Sequence, residues 1–275
     1  MAKFSIITTC KGRLSHLKQT LPRFVGQRDT EVIVVDYSCP ERTATWVREN
    51  YPEVIVVEVP DGPHFRVNHA RNVGAASANG HHFVFLDADT LIADDFIDRV
   101  EPLLKARTFL RFRSQKGNDL NGACIIASAY FHALHGYDDV IVGYGGGEQD
   151  LYWRLRRTGI PAERCSIELL RAIAHDNATR MANYVENDLR KSFLQVRAYR
   201  LCKEAILGVV FSTELARSQR EQLWQTVKDA IATGKDRINI VIPHPLIKSG
   251  FLNDWEFKRV VNVCLERKVG AKTDQ

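Results

Sequence analysis

The first part of the chain alternates short apolar runs with longer polar segments, and no other feature restricts its fold as strongly. The apolar runs are rich in Ile, Val and Phe and comprise Phe4 to Thr9, Glu31 to Asp36, Val54 to Val59 and His82 to Asp87. The segments between the first three have helical length and polarity, so the pattern predicts parallel β-α-β units. Because ligands bind outside the carboxyl ends of the strands in such sheets, we expect functional residues where these runs end.

The middle of the chain continues the α/β pattern less regularly. We predict a helix beginning near residues 94 and 95, strands at Phe109 to Arg113 and within Gly122 to Ser128, and a helix over Leu151 to Arg157 that follows a glycine cluster. This α/β domain is expected to cover residues 1–177, with its two halves meeting near residue 90.

Beyond residue 177 the sequence becomes mainly helical, and we expect residues 178–275 to form a C-terminal extension. Helices are predicted over Asn183 to Leu207 and Thr213 to Thr233. A short apolar run follows at Ile238 to Ile242, and a final helix is predicted near Asp254 to Arg267.

Composition limits the class of protein. No apolar run approaches the roughly 18 residues that cross a bilayer, and the amino terminus leads directly into the first strand, so we expect a soluble, cytoplasmic protein with at most peripheral contact to a membrane. The six cysteines are scattered without a C-x-x-C pair, which argues against a zinc site or disulfide scaffold. A net charge of +5 and a pI near 8.9 favour anionic ligands, whether nucleotide phosphates, an acidic glycan, a membrane face or nucleic acid, without choosing among them.

Two carboxylates, Asp87 and Asp89, flank the small Ala88 directly after the fourth apolar run. Hard oxygen ligands at a strand end suit Mg²⁺ or Mn²⁺, with water and phosphate completing the coordination shell. The alternative is a solvated turn in which Asp89 caps the next segment.

Several motifs resemble family 2 glycosyltransferases, which have the GT-A fold. On the donor side, the run Phe83 to Asp89 is preceded by Asn68-His-Ala-Arg-Asn-Val-Gly74, similar to the family's A-R-N-x-G helix before a D-x-D strand. Further motifs resemble the acceptor block of β-galactosyltransferase-like and chondroitin-polymerase-like enzymes, namely Asn121 to Phe131, His135 to Asp139, Gly143 to Asp150 and Arg154 to Gly159. The resemblance implies a mostly parallel central sheet flanked by helices and a nucleotide-diphospho-sugar donor.

The acceptor block also implies a catalytic base. The family reads W-G-G-E-D followed by an acidic residue, and alignment on the helix start places Glu148 at the base, Gly147 at the usual glutamate and Tyr144 at the tryptophan. A sugar hydroxyl is too weakly acidic to attack an anomeric carbon unless a carboxylate accepts its proton. The alternative for Glu148 is a first-turn residue that complements the helix dipole. Asp150 is the second candidate, as base or as a residue that orients acceptor hydroxyls.

The resemblance assigns further residues to the donor. It implies that His175 joins Asp87 and Asp89 as a ligand of Mn²⁺, or of Mg²⁺, and that Asp36 accepts the N3 proton of uracil. We also expect donor contacts to the base, ribose or phosphates from a set of residues near the strand ends: Thr9, Arg13, Arg66, Arg71, Asn72 and Tyr144.

These observations favour one reaction and leave two alternatives. The favoured reaction moves a hexosyl group from a nucleotide diphosphate, preferably of uridine, to a hydroxyl acceptor, with inversion preferred over retention. A sugar-phosphate nucleotidyltransferase would carry a G-x-G-T-R-type loop, which Thr8-Thr-Cys-Lys-Gly-Arg13 does not supply, and a non-catalytic nucleotide-sugar or glycan-binding module is the third reading. No G-x-G-x-x-G follows a strand, which argues against a dehydrogenase. The acceptor and the oligomeric state are not defined by sequence.

Overall fold

The computed structural model describes residues 3–112, 120–165, 167–210, 212, 214–235, 237–243 and 258–264. The chain divides into two compact units, Met1–Leu189 and Arg190–Gln275. This division and the one expected after residue 177 differ by the segment 178–189. Part of that segment packs on the first unit, because the Phe65 amide donates to the Asn183 carbonyl at 2.7 Å.

The first unit contains a seven-stranded sheet in the order β3-β2-β1-β4-β7-β6-β8. Strands β3, β2, β1 and β4 are mutually parallel, β7 is antiparallel to β4 and to β6, and β6 is parallel to β8. The predicted mostly parallel α/β sheet is therefore confirmed. The strands are β1 (Phe4–Cys10), β2 (Thr30–Asp36), β3 (Ile55–Glu58), β4 (His82–Phe85), β5 (Thr90–Ile92), β6 (Phe109–Phe112), β7 (Cys124–Ala127), β8 (Ala162–Cys165) and β9 (Leu170–Ala172).

Helices cover both faces of this sheet. They are α1 (Leu14–Val25), α2 (Thr43–Asn50), α3 (Val67–Ala76), α4 (Phe96–Val100), α5 (Ser128–Ala133), α6 (Gly147–Arg157) and α7 (Asn177–Met181), with 3-10 turns at Glu101–Leu103 and Ile167–Leu169. All seven residues of β1 are buried, and alternate side chains enter two separate cores. Ile6 packs with Leu17 and Phe24 of α1, whereas Ile7 packs with Ala70 of α3 and Leu151 of α6.

The helix that carries the Ala-Arg-Asn-Val-Gly motif lies very close to the sheet. A Cβ on Gly74 would come within 2.7 Å of a methyl of Ile7 and 2.9 Å of a methyl of Val35. The motif glycine is thus explained by packing, since any side chain there would push α3 away from β1 and β2.

A second, two-stranded sheet joins distant parts of the first unit. Strand β5 follows Asp89 and pairs antiparallel with β9, with Thr90 opposite Ala172 and Ile92 opposite Leu170. The Ile173 amide extends this ladder by donating to the Asp89 carbonyl at 2.8 Å. This pairing brings the residues that follow β9 to the carboxyl end of β4.

The second unit contains α8 (Leu189–Val210), which begins one residue before the division, α9 (Arg217–Ala232), and an antiparallel pair of strands, β10 (Arg237–Pro243) and β11 (Lys258–Cys264). The helix predicted near Asp254 to Arg267 is wrong over Lys258–Cys264; its remaining residues lie outside the described ones. Three valines are close together in this strand, and exposure alternates from Val260 to Val263, as β-branched residues in a half-buried strand favour. In the described part of the chain, none of the helices has the length and hydropathy that crossing a membrane requires.

Candidate active site

The carboxyl ends of β1, β2 and β4 lie side by side, as the parallel register requires. Cys10 at the end of β1 is opposite Asp36 at the end of β2, and Thr9 is buried one position earlier. After β4 the chain turns sharply, because the Thr90 amide donates to the Asp87 carbonyl at 2.9 Å. The turn places both carboxylates of the D-x-D motif at this edge of the sheet.

Asp89 and His175 form the closest acid–imidazole pair at this edge. The Nδ1 atom of His175 lies 3.4 Å from Oδ2 of Asp89 and 3.1 Å from the carbonyl oxygen of Ile173. Burial, together with the neighbouring Asp87 carboxylate, raises the pKa of Asp89 to about 7, whereas burial lowers the pKa of His175. The structure thus brings together two of the three predicted metal ligands.

Asp87, the third predicted ligand, already has a protein partner. Its Oδ1 atom accepts a hydrogen bond from Nη2 of Arg71 at 2.6 Å, and the Arg71 side chain is almost fully buried. The Arg71 guanidinium lies over the ring of Tyr137, 5.2 Å from its centre. We expected Arg71 to contact the donor diphosphate, but in this structure its charge is balanced by the D-x-D motif itself.

The residues at this edge fit a divalent cation only in part. Among the described residues, no group of three or more His, Cys, Asp and Glu side chains is arranged to hold a metal ion. Asp89 and His175 nevertheless supply one hard oxygen and one nitrogen ligand, and two adjacent carboxylates of which one is largely buried carry negative charge that a cation would relieve. Phosphate oxygens of a bound donor would have to complete such a site.

Glu148 lies in the first turn of α6, on the acceptor side of the same region. The preceding Gly145 and Gly146 have φ angles of +94° and +87°, which L side chains rarely adopt, so the glycine cluster sets the direction of this helix. Burial raises the pKa of Glu148, while the nearby Arg71 guanidinium opposes that rise and the Asp87 carboxylate adds to it. Glu148 is therefore electrostatically coupled to the residues at the donor side.

The departure from the family's acceptor block at Gly147 has a packing reason. A Cβ at this position would come within 2.7 Å of Nδ2 and 2.8 Å of Oδ1 of Asn68, whose side chain is buried. The family's usual glutamate does not fit here without moving Asn68. The space beside Asn68 is therefore consistent with an alignment that puts a glycine, Gly147, at the position of the family's usual glutamate.

Asp150 has a structural role. Its side chain is 1% exposed, and its Oδ2 atom accepts a hydrogen bond at 2.8 Å from Nε of Arg154, which is 2% exposed. Arg154 also donates to the carbonyl oxygens of Leu134 and Gly136. The pair holds α6 to the 134–136 turn, and a role for Asp150 as second base, or in orienting acceptor hydroxyls, stays a prediction.

The two other donor residues predicted on or before α3 also hold this region of the protein. Asn72 donates to the Tyr137 carbonyl at 2.9 Å and accepts from the Tyr137 amide at 2.8 Å, so both ends of its amide are used. Arg66 donates to the carbonyl oxygen of Asp139 at 2.6 Å. Asn68, which the sequence did not single out, donates to the carbonyl oxygen of Asp138. Arg66 and Asn72 thus contact residues 137–139, and their contacts to a donor stay predictions.

Asp36 is likewise occupied by backbone groups. Its two oxygens accept hydrogen bonds from the amides of Cys39 and Ala44, both at 2.7 Å. These bonds fix the loop between β2 and α2. Base recognition by Asp36 stays a prediction.

Sequence reasoning missed the segment 176–184, which lies at the same edge. Arg180 contacts the imidazole of His175 and the ring of Tyr144, and Tyr144 and Tyr184 also make an edge-to-face contact. Arg13 reaches the segment by donating to the Thr179 carbonyl at 2.8 Å. The sequence signal was Asp176, which is the N-cap residue of α7. Its side chain accepts a hydrogen bond from the Thr179 amide, and the three-residue spacing between an aspartate and that amide could have indicated the start of a helix.

Comparison with known proteins agrees with the fold. Residues 5–117, less than half of the chain, match the model of the family described as Glycosyl transferase family 2. No curated protein matches the sequence. Among solved structures, mannosyltransferase PcManGT from Pyrobaculum calidifontis, in complex with GDP-Man and Mn²⁺, has a TM-score of 0.56 at 16% identity and covers 84% of this chain and 75% of its own.

A second similar structure is S. aureus TarS 1-349, with a TM-score of 0.53 at 13% identity, covering 85% of this chain and 92% of its own. The same TarS region in complex with UDP gives a TM-score of 0.51. Such low identities establish the fold alone, and the predicted GT-A fold is confirmed.

Proposed function

We propose that this chain transfers a hexosyl group from a nucleotide diphosphate to a hydroxyl acceptor, with inversion at the anomeric carbon. The observation that carries the proposal is the electrostatic coupling of Glu148 to Arg71 and Asp87. A carboxylate of raised pKa that interacts with the charges of Arg71 and Asp87, near the expected position of the donor's leaving group, supports a role as base. A single base opposite a single leaving group suits a direct displacement.

Each residue of this centre has a distinct part in the proposed reaction. Glu148 accepts the proton of the acceptor hydroxyl as the new glycosidic bond forms. Arg71 orients Asp87 through their partly buried ion pair and presents a positive charge to Glu148. Asp89 and His175 would hold Mn²⁺ or Mg²⁺, which when bound supplies positive charge to the diphosphate.

We also propose a uridine donor. The support is the position of Asp36 at the end of β2 together with its two hydrogen bonds from backbone amides, which hold the carboxylate in place. A carboxylate oxygen has two lone pairs, so each oxygen of Asp36 can accept one further hydrogen bond, such as one from the N3–H group of uracil. A similar structure was solved with UDP and another with GDP-Man, so the base must be decided by measurement.

The remaining expectations concern context. We propose an acceptor site of the β-galactosyltransferase-like or chondroitin-polymerase-like type, on the glycine-rich block that precedes α6. A cytoplasmic location with peripheral membrane contact stays a proposal that rests on composition.

The direct test is donor binding and turnover. The purified chain is screened by thermal unfolding against UDP- and GDP-sugars with and without Mn²⁺, and release of nucleoside diphosphate is measured for each sugar that raises the melting temperature. We expect Mn²⁺-dependent stabilisation by a UDP-sugar, which Asp89→Asn abolishes. The matched control is Asp94→Asn, because the Asp94 side chain is 87% exposed.

Two outcomes would contradict the proposal. Stabilisation without release of nucleoside diphosphate, with any acceptor or with water, would favour a binding module. Release of pyrophosphate from UTP and a sugar 1-phosphate would favour a nucleotidyltransferase.

A further inference from the structure

The helix α7 presents a half-buried arginine to the candidate active site. Arg180 is in the last turn of this helix, which is held at its start by the Asp176 cap and in its middle by the bond from Arg13 to the Thr179 carbonyl. The backbone of Arg180 is thereby fixed on both sides. Its side chain is directed by contacts of its own.

The side chains in direct contact with the Arg180 guanidinium, His175 and Tyr144, are neutral, and the Asp89 carboxylate interacts with it electrostatically from further away. Its Nε atom lies 3.4 Å from Nε2 of His175, and its central carbon lies 5.5 Å from the centre of the Tyr144 ring. In the part of the chain that the structure describes, no carboxylate forms an ion pair with it. An arginine that is partly withdrawn from water usually has an anionic partner, because an unbalanced buried charge is costly.

The contact with His175 also defines the state of that imidazole. Arginine can only donate, so Nε2 of His175 accepts and carries no proton. The proton is then on Nδ1, which lies near the carbonyl oxygen of Ile173 and Oδ2 of Asp89. The neutral imidazole therefore has its coordinating nitrogen covered by Arg180, and this nitrogen becomes accessible only if the guanidinium moves to another acceptor.

A diphosphate is the ligand that fits these contacts. Guanidinium groups bind phosphate oxygens in bidentate geometry, and Asp89, His175 and Arg13 all lie close enough to interact electrostatically with one another and with Arg180. The leaving group of the proposed reaction is expected at this place.

We propose that Arg180 binds the diphosphate of the nucleotide donor, exchanging Nε2 of His175 for a phosphate oxygen. This inference rests on the proposed function and names a residue that acts in it. During transfer the acceptor oxygen forms its bond to the anomeric carbon, and its proton goes to Glu148. The bond from the anomeric carbon to the phosphate oxygen breaks, and its electron pair goes to the diphosphate, whose added negative charge Arg180 neutralises.

The test compares nucleoside diphosphates with monophosphates. Titration calorimetry with UDP, UMP, GDP and GMP, in buffer with MnCl₂, is carried out on wild type, Arg180→Gln, Arg180→Lys and the control Arg171→Gln, whose side chain is exposed on β9. We expect Arg180→Gln to weaken diphosphate binding by roughly tenfold or more, with less than about twofold change for the monophosphate. Arg180→Lys should regain part of the loss, and the control should match wild type.

Each other outcome is decisive. If wild type binds none of the four nucleotides, the proposed function fails and the inference with it. If wild type binds a diphosphate and Arg180→Gln binds it equally well, or loses diphosphate and monophosphate to the same extent, only the inference fails. Should Arg180→Gln fail to fold, Arg180→Lys with a raised donor KM and a lowered kcat would support the inference, and unchanged constants would overturn it.

Discussion

The two sides of the candidate active site use their polar residues differently. The acceptor side comprises α6 and residues 134–139, together with α3, because Asn72 of that helix bonds to Tyr137 although we had predicted it to contact the donor. Here the side chains of Asn72 and Arg154 bond to the protein itself and are almost fully used. The donor side is formed by the D-x-D turn and residues 175–184. Here Arg180 and His175 contact each other at 3.4 Å, although an arginine usually binds an anion. The acceptor side is thus a rigid frame, and the donor side is the part that retains binding capacity.

The difference follows from burial. Polar groups that are fully buried must be paired within the protein, because leaving one unpaired costs about 1–3 kcal/mol, and more for a charge. Half-buried groups near solvent can exchange water or weak contacts for a ligand at little cost. Glu148 is the exception on the acceptor side, since it is only partly exposed and yet is not tied to a buried cation at hydrogen-bonding distance in any described contact.

The largest expected effect is on catalysis by Glu148→Gln. The substitution keeps the shape but removes the base, so we expect the transfer rate to fall by roughly 10²–10⁴-fold, while the affinity for the nucleotide changes little. The measurement is steady-state transfer with the donor found by screening, and the control is Glu163→Gln on the edge strand β8, where the side chain is 42% exposed. A transfer rate near that of the wild type would show that Glu148 is not the base and that it has a structural role, like the other residues of the acceptor side.

Next in size is the stability cost of breaking the buried pair on α6. Arg154→Ala should lower the free energy of unfolding by about 3–5 kcal/mol, because it leaves the Asp150 carboxylate buried without its cation and two carbonyls without their donors. Urea unfolding measures this, with Arg156→Ala on the exposed face of the same helix as control, expected within about 0.5 kcal/mol of wild type. Equal effects of the two variants would contradict the rigid-frame interpretation.

A smaller contrast is expected between two asparagines, one from each side. Asn72→Ala removes both bonds to Tyr137 and should cost about 1–3 kcal/mol, whereas Asn183→Ala removes one bond, to the Lys11 carbonyl, and should cost about 1 kcal/mol or less. Denaturant unfolding of both variants under identical conditions makes the comparison. A larger cost for Asn183→Ala would show that the donor side is also part of the frame.

Sequence alone predicted the sheet better than it predicted the site. Strands β1 and β2 are central, mostly buried and rich in β-branched residues, so their pattern was unambiguous, whereas the segment Lys258–Cys264 combines charged and β-branched residues at spacings that fit a helix as well as a strand. Motif matching located Asp89, His175 and Glu148 in one region. It did not foresee that Asn72 and Asp150 bond within the protein, because burial and partners are tertiary properties that spacing does not encode.

The smallest predicted effect concerns pH and would sharpen the description of the donor side. Burial and the Asp87 carboxylate raise the pKa of Asp89 to about 7, so its proton competes with a cation in a range where an ordinary aspartate is fully ionised. Protonation increases as pH falls, and affinity for Mn²⁺ should therefore fall by about tenfold from pH 8 to pH 6.

The stability of the metal-free fold should change with pH in the direction opposite to the affinity for Mn²⁺. A raised pKa in the folded state means that the protonated form stabilises the fold fully below the unfolded value near 4 and that this contribution is lost as pH rises through about 7. Relative to Asp89→Asn, the metal-free wild type should thus lose stability between pH 4 and pH 8, while Mn²⁺ binding improves over the upper part of that interval. Calorimetry with MnCl₂ and urea unfolding in EDTA measure the two trends. Parallel trends, or Mn²⁺ affinity that does not change with pH, would show that the Asp89 carboxylate is not a cation ligand and that the unused binding capacity of the donor side belongs to its arginines.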